Sequence, residues 1–371
     1  MSYFINNMRR FAGELLSGPP GAIPKRLGSA FGTKLGTGAE RLLGASGAGR
    51  FVGRAYRGPG LVLMFHEIHD DVEAQLRTGC SPDQLRRVLV ALKHEGRDVI
   101  TIEEALQRLQ DPRPKPFALL TFDDGYRDNR DKALPILEEF GAPMTMFVPT
   151  GMVTREIYAW WLGLRALFAR HDSVDIAAMS HRFDCSDAAR KNAAMRQATL
   201  WVGTDRLRAA ALADTFSAYG ISLAGLVATV AMDERELKAF AAHRLVTIGG
   251  HTTTHTFLSG LDDASARADI ADNRRYLQDM LNAPVRHFAY PYGTPGACGA
   301  REAGLVAEAG YATGFTTRPG QLFAAHLDCP HLMPREDTGF ANLSSAQLAS
   351  RLNGSRRAWA SRFGNPVAGI D

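Results

Sequence analysis

The feature that most constrains this chain is a repeated alternation of short apolar runs with amphipathic helical stretches. Leu61-Val62-Leu63-Met64-Phe65 is a continuous apolar run of strand length, the pattern of a strand buried on both faces. Comparable runs recur at 117–122, 144–148, 245–248, 287–290 and 312–316. Helical signals lie between them. Ser81-Pro82-Asp83 opens a helix with Leu85, Val88, Leu89 and Leu92 on one face, and Gly96 suits its end. Thr101 and Glu104 have capping-box spacing. A helix carrying Leu134, Leu137 and Phe140 stops at Gly141, and helical patterns cover 265–281 and 300–309. Strand–helix alternation implies an α/β fold, with a parallel sheet or a barrel.

The rhythm fails in two places. Residues 155–240 are rich in Ala, Leu and Arg at helical spacing, and we expect a helical insertion in the loop after the strand at 144–148. Loops at strand C-termini surround the active site in such folds. Trp160 and Trp161 open the insertion, either as a wall for a ligand or packed with Leu164 and Leu167 in its own core. The N-terminal segment is the second break. Residues 1–60 hold 13 of the 36 glycines, nine Lys or Arg and two Glu. Their balance of +7 leaves −3 for residues 61–371 out of a total of +4. The expected division is a flexible, basic, Gly-rich segment over 1–58, a barrel domain over 59–345 and a C-terminal tail over 346–371.

These patterns exclude several classes. The body carries no basic excess for nucleic acid. Cys80, Cys185, Cys298 and Cys329 form no CxxC pair, so unpaired core cysteines are expected. No apolar run approaches the roughly 20 residues of a membrane span. The stretch after Arg9 and Arg10 is broken by Glu14, Gly18, Pro19 and Pro20, unlike a secretory signal. A cytoplasmic or peripherally membrane-associated protein is therefore expected. Phe4, Met8, Phe11 and Leu15 share a helical face beside Arg9 and Arg10, which suits a membrane-surface contact, a partner helix or packing on the body.

Three motifs end apolar strands. Thr121-Phe122-Asp123-Asp124-Gly125 places two adjacent carboxylates on opposite sides of an extended chain, so they serve different tasks. One can bind a cation while the other faces a water, and Gly125 permits a sharp exit. Gly249-Gly250-His251-Thr252-Thr253-Thr254-His255 spaces two histidines at i and i+4, the spacing that shares one face of a helical turn. Two imidazoles and a carboxylate suit a first-row divalent metal and leave positions open for water and substrate. The turn Tyr290-Pro291-Tyr292-Gly293 offers a backbone N–H as an oxyanion donor.

In this order and combination, Thr121 to Gly125, His251 to His255 and Phe288 to Gly293 resemble the polysaccharide deacetylases, or NodB-homology proteins, over roughly residues 61–340. The resemblance implies a distorted (β/α) barrel around one divalent metal. By motif position, Asp124, His251 and His255 would be the ligands and Asp123 the general base. The Tyr292 N–H would hold the oxyanion, and zinc is the first choice of metal, with cobalt, nickel or iron fitting the same donors. Two departures stand out. The family's Arg before the Pro-rich turn is Ala289 here, and Arg335 in Leu332-Met333-Pro334-Arg335 is expected to replace it, with Arg286 the competitor. The family's C-terminal Leu-x-His has no clean copy near His326 and His331, whereas Leu63-Met64-Phe65-His66 supplies one at the other end. This is similar to a circularly permuted branch, with His66 as the general acid. Trp161 and Tyr290 are the expected substrate contacts. The implied activity is removal of N-acetyl groups from a sugar in a polysaccharide, oligosaccharide or lipid-linked glycan of the cell envelope. An O-acetyl esterase, an N-deformylase and an inactive carbohydrate-binding protein are the alternatives.

Overall fold

Side-chain alternation along parallel strands organises the molecule. The computed structural model describes residues 53–70, 76, 79–339 and 342–369, so the expectations for residues 1–52 lie outside the described residues. The strands are β1 (Gly60–Phe65), β2 (Glu67–Ile68), β3 (Gly79–Cys80), β4 (Asp98–Val99), β5 (Phe117–Asp123), β6 (Met144–Val148), β7 (Ser173–Ile176), β8 (His181–Asp184), β9 (Val246–Gly250), β10 (His287–Ala289), β11 (Thr313–Phe315) and β12 (Glu336–Gly339). Eight form one parallel sheet in the order β11-β10-β9-β6-β5-β1-β12, with β4 also on β5. All six apolar runs are strands of this sheet. It curls into an incomplete barrel of the distorted (β/α) type.

Period-two alternation separates two cores. Leu61, Leu63 and Phe65 of β1, Leu120 and Phe122 of β5, and Met144 and Met146 of β6 face outward to the helices. Val62, Phe117, Leu119, Phe147 and Phe315 fill the interior. Thr121 and Asp123 share the inward face of β5 with Phe117 and Leu119, so the same alternation that builds the core aims Asp123 into the barrel. The helices begin where their caps dictate: Ser81 and Thr101 accept from the Gln84 and Glu104 backbone N–H groups. Left-handed Gly141 ends the helix Leu134–Phe140.

The insertion after β6 is mainly helical and has its own core. Trp160, Leu164, Leu167, Phe183 and Phe216 pack there, as one of the two tryptophan readings required. It also contains the antiparallel hairpin β7–β8, which the helical expectation did not include. Val174 and Ile176 alternate inward between exposed Ser173 and Asp175.

The expected domain limits need correction at both ends. Residues 346–369 are not a tail: the helices Ser345–Leu352 and Ser355–Ala360 bury Leu348, Leu352 and Ala358. Gln321 donates to the Arg351 and Leu352 carbonyls, and His326 bonds the Ala368 carbonyl. Residues 53–58 belong to the body rather than to the N-terminal segment, because Tyr56 is buried and donates to the Gly364 carbonyl at 2.9 Å. β12 was not foreseen, since Glu336-Asp337-Thr338-Gly339 has no apolar side chain. Its buried Glu336 is met by Arg356 at 2.6 Å instead. The four cysteines are free.

Charge ties the far end of the insertion to the first motif. Glu236 meets Arg127 at 3.0 Å and Arg130 at 2.9 Å, and it completes the capping box of Asp233. Burial raises its carboxyl, but hydrogen bonds from Arg127, the Asp233 backbone and Arg130 outweigh that and hold it at about 2. A depressed folded value contributes stability above the ordinary 4.5 that is lost as pH falls toward about 2. Glu236→Gln should therefore cost about 1–2 kcal/mol near neutral pH. Urea unfolding of both proteins should show that gap narrowing below about pH 4.5 and closing as pH approaches about 2.

Candidate active site

The C-terminal ends of β1, β5, β9 and β10 meet on one rim, and each contributes a motif. Asp123 closes β5 and is buried against Arg335, whose Nη1 and Nη2 each lie 2.8 Å from one carboxylate oxygen. This bidentate fork fixes the carboxylate plane. Arg335 is itself held by the Thr316 carbonyl at 2.9 Å and Thr121 Oγ1 at 3.2 Å, with its guanidinium 5.7 Å from the Phe147 ring centroid. Burial raises the Asp123 carboxyl. The opposing charges of Arg335, His251 and His66 prevail and hold it below its ordinary value. Arg286 is exposed just before β10, at the end of the strand opposite the rim, and takes no part.

The chain then turns sharply: Asp124 has φ +74° and Gly125 φ +70°. The turn swings Asp124 to the other side of the rim, where Oδ1 lies 3.2 Å from His255 Nε2 and 3.6 Å from His251 Nε2. Burial pushes the Asp124 carboxyl up, yet His255, His66 and His251 hold it well below the usual carboxylate range. The histidines do not share a helical turn, contrary to the spacing argument. They sit in a loop in which Thr252 (φ +60°) and His255 (φ +55°) are left-handed, and His255 N–H donates to Thr252 Oγ1 at 3.0 Å. The folded loop brings the imidazoles together as effectively, with ring centroids 5.1 Å apart.

Two residues that sequence reasoning missed hold this loop. Asp269 and Asn273 stand one turn apart on the helix Asp263–Leu281. Asp269 accepts from the Thr253 and Thr254 N–H groups at 2.8 and 3.0 Å. Asn273 Oδ1 accepts from His251 N–H at 3.2 Å, while its Nδ2 donates to the Val148 and Thr252 carbonyls. A side chain at Gly250 would strike the Tyr311 hydroxyl and Asn273 Oδ1. The Gly249-Gly250 pair was the available signal for such close packing.

The donor set fits a divalent metal. Ligand atoms of Asp124, His251 and His255 lie within 4.8 Å of one another. Asp124 Oδ1 is buried without a hydrogen bond, a cost that a cation at the trio relieves. His251 Nδ1 donates to the Ala289 carbonyl at 2.7 Å, which leaves Nε2 as the lone pair facing Asp124. Burial pushes the His251 imidazole down to about 4, against the pull of Asp123, so it is neutral and able to ligate.

The remaining residues divide between rim and core. His66 follows β1, and its Nε2 lies 4.0 Å from Asp123 Oδ2; Asn129 Nδ2 holds the His66 carbonyl at 2.7 Å. Tyr292 is left-handed (φ +62°), its carbonyl accepts from Thr317 Oγ1 at 2.7 Å, and its ring lies 5.3 Å from His255. Trp161 packs on the other side of His255 at 4.9 Å. Beside them opens a cleft of about 280 Å³ lined by Phe257 and Tyr292 and, from the insertion, by Tyr158, Trp161, Thr204 and Arg206. Tyr290 corrects the expectation of a substrate contact. It is buried against Phe288 and donates to the His331 carbonyl at 2.7 Å, because alternation along the strand turns it away from the rim. His326 and His331 bond backbone carbonyls elsewhere.

A parallel α/β barrel whose rim gathers two aspartates and two histidines defines a hydrolase-type fold and site. The polysaccharide deacetylase profile matches residues 110–313, and the chain belongs to that family. The chain is 22% identical over 262 residues to a Bacillus subtilis (strain 168) protein described as a polysaccharide deacetylase, YxkH, covering 70% of this chain and 64% of that protein. It is 26% identical over 151 residues to the poly-β-1,6-N-acetyl-D-glucosamine N-deacetylase of Escherichia coli (strain K12), covering 36% of this chain and 22% of that enzyme. It thus spans less than two thirds of either relative. The Streptococcus pyogenes deacetylase PplD, solved with acetate, superposes with a TM-score of 0.51 at 20% identity, over 79% of this chain and 97% of that one. A Bacillus anthracis protein described as a polysaccharide deacetylase gives 0.50 at 17%, over 79% and 68%. These likenesses establish the fold. His66 and Arg335 both lie outside the matched stretch.

Arg335→Met should leave Asp123 buried without its partner and cost about 3–5 kcal/mol near neutral pH. The loss should shrink as pH falls, because the carboxyl, raised by burial alone, takes up a proton. Arg286→Met should stay within about 0.5 kcal/mol, and denaturant titration at two pH values checks both. If the trio holds a divalent ion, His251→Ala should also lower the bound divalent-metal content toward none, as metal analysis of the purified protein reads directly.

Proposed function

We propose that this protein is a metal-dependent N-deacetylase acting on an acetylated sugar. The observation that carries the reading is one juxtaposition. Asp123, clamped by Arg335, stands against the Asp124–His251–His255 trio, with His66 4.0 Å away. Asp124, His251 and His255 would hold a divalent ion, which would supply Lewis-acid polarisation of the acyl oxygen and acidify water. Zinc is our first choice for the ion, with cobalt, nickel or iron compatible with the same donors. Asp123, kept ionised and oriented, removes the proton of the attacking water. The Tyr292 N–H donates to the oxygen on which negative charge develops. His66 returns a proton to the departing nitrogen, the C–N bond breaks, and acetate and an amino sugar leave.

The substrate we favour is an acetylated polysaccharide, oligosaccharide or lipid-linked glycan of envelope biosynthesis. The names of the relatives and the aromatic cleft beside His255 support a carbohydrate. The order of the chain supports the circularly permuted branch, since β1 lies between β5 and β12 and the strand leading to His66 neighbours the strand of Asp123. We place the protein in the cytoplasm or at a membrane surface. Among the described residues, no single helix is long and apolar enough to cross a bilayer. An inactive carbohydrate-binding role is disfavoured because base and ligands are all in place.

The test incubates zinc-loaded full-length protein with N-acetyl, O-acetyl and N-formyl oligosaccharides and with lipid-linked sugars, and measures released acetate and formate. Acetate from N-acetyl substrates is expected. Asp123→Asn should lower turnover by about 100-fold or more while zinc stays bound. Formate alone, or acetate from O-acetyl sugars alone, would replace the amide assignment.

A further inference from the structure

The insertion does more than wall the cleft, because one of its helices grips the site at two points. On the helix Trp160–Arg170, Trp161 and Arg165 stand four residues apart and therefore project from the same face. Trp161 packs on His255 at 4.9 Å, and its Nε1 donates to the Tyr126 hydroxyl at 3.2 Å, two residues beyond Asp124. Arg165 reaches in the other direction, with Nη1 2.6 Å from Glu67 Oε2. Glu67 is fully buried and directly follows His66. Tyr126 lies between the two grips and feels the charges of Asp124, Glu67 and Arg165 together.

A carboxylate with no solvent exposure demands a fixed cation. Here that cation comes from an element outside the barrel, although other arginines belong to the sheet and its own loops. A purely structural pair would serve anywhere along the insertion. This one is attached to the residue next to the proposed acid. On the far side, Asn129 of the irregular turn Asn129–Ala133 already pins the His66 carbonyl. His66 thus has its backbone fixed from one side and its neighbour from the other, with its ring 4.0 Å from Asp123.

We propose that Arg165 and Glu67 are positioning residues that aim the His66 ring at the leaving nitrogen. The helix Trp160–Arg170 thereby links the wall of the cleft to proton delivery. This rests on the function proposed above, with His66 as acid. It differs from a stability role in one respect: only substrates that need protonation of a poor leaving group should feel its loss.

The experiment compares wild type with Arg165→Lys and with the double variant Glu67→Gln/Arg165→Met, which removes both charges and strands neither. Each is assayed on an N-acetyl oligosaccharide and on p-nitrophenyl acetate, whose leaving group needs no acid. The double variant is expected to lose about tenfold or more in kcat on the amide, with KM and the ester rate within about twofold. Arg165→Lys should recover most of the amide rate. His66 ring resonances, assigned by comparison with His66→Ala, should shift and broaden in the double variant whatever the turnover. Equal losses on amide and ester, or an unchanged amide rate with unchanged His66 resonances, would overturn the assignment. A wild type that releases no acetate from any glycan would instead sink the functional reading, and the resonances would still report on the positioning.

Discussion

The bidentate pair between Asp123 and Arg335 is the interaction on which the site depends. Two charges this deeply buried gain little net stability over an apolar pair, since desolvation consumes most of the Coulombic attraction. What they supply is geometry. Nη1 and Nη2 fix the carboxylate plane, and Thr316, Thr121 and the Phe147 ring fix the guanidinium. The carboxylate therefore cannot rotate away to be solvated, and it stays ionised in surroundings that would otherwise protonate it. Ala289 fits this arrangement. It sits in the interior cluster with Phe147, Phe315 and Met333, and its carbonyl orients His251. An arginine from β12's side of the sheet supplies the charge that this strand does not.

Strain concentrates where the chemistry is. Of the ten non-glycine residues with positive φ among those described, Asp124, Thr252, His255 and Tyr292 lie in the three motifs. Left-handed backbone at such residues costs energy of order 1–3 kcal/mol each and persists only when the surroundings over-determine it. The surroundings here are specific. Asp269 and Asn273 hold the histidine loop from one helix face, and Thr317 ties down the Tyr290–Gly293 turn through both the Tyr292 and Gly293 carbonyls. The price of these conformations is met by polar groups that do no chemistry themselves.

The sheet was legible because its strands are apolar on both faces and its helices carry stop signals. Each apolar run from Leu61 to Thr316 became a strand in a curled parallel sheet. β12 was not legible: its burial rests on Glu336 paired with Arg356, a contact 20 residues away that no hydrophobic pattern announces. The C-terminal helices were read as a tail because their amphipathic stretches are short and flanked by Gly354 and Gly364. Among site residues, Asp123, Asp124, His251 and His255 stood out by motif, and Arg335 by the resemblance of Leu332-Met333-Pro334-Arg335 to an element of the family, with Arg286 as competitor. The geometry that unites the histidines did not follow from spacing, since i, i+4 is also compatible with a left-handed loop. Tyr290 was misplaced for a simpler reason. Tyr290 shares the outward side of β10 with Phe288, whereas the left-handed backbone at Tyr292 turns that residue onto the rim beside His255. Asp269, Asn273, Asn129, Glu67 and Arg165 carried no motif at all. Their roles arise from contacts between elements distant in sequence.

Parallel topology explains why so scattered a set can form one site. In a sheet whose strands all run the same way, every C-terminal end arrives on the same rim, whatever its order in the chain. β1 comes first in sequence yet lies between β5 and β12. A position such as that of His66 can therefore be contributed from either end of the chain without disturbing its neighbours. The same logic admits the insertion. Placed between β6 and β9, which pair directly over five residue positions, it interrupts no ladder and adds its mass on the side where the loops converge. Sequence order is thus a weak constraint on this site, and strand polarity a strong one. That is why His66, which follows the first strand, meets Asp123 on this rim, while Arg335, just before β12, reaches the same carboxylate from the buried interior.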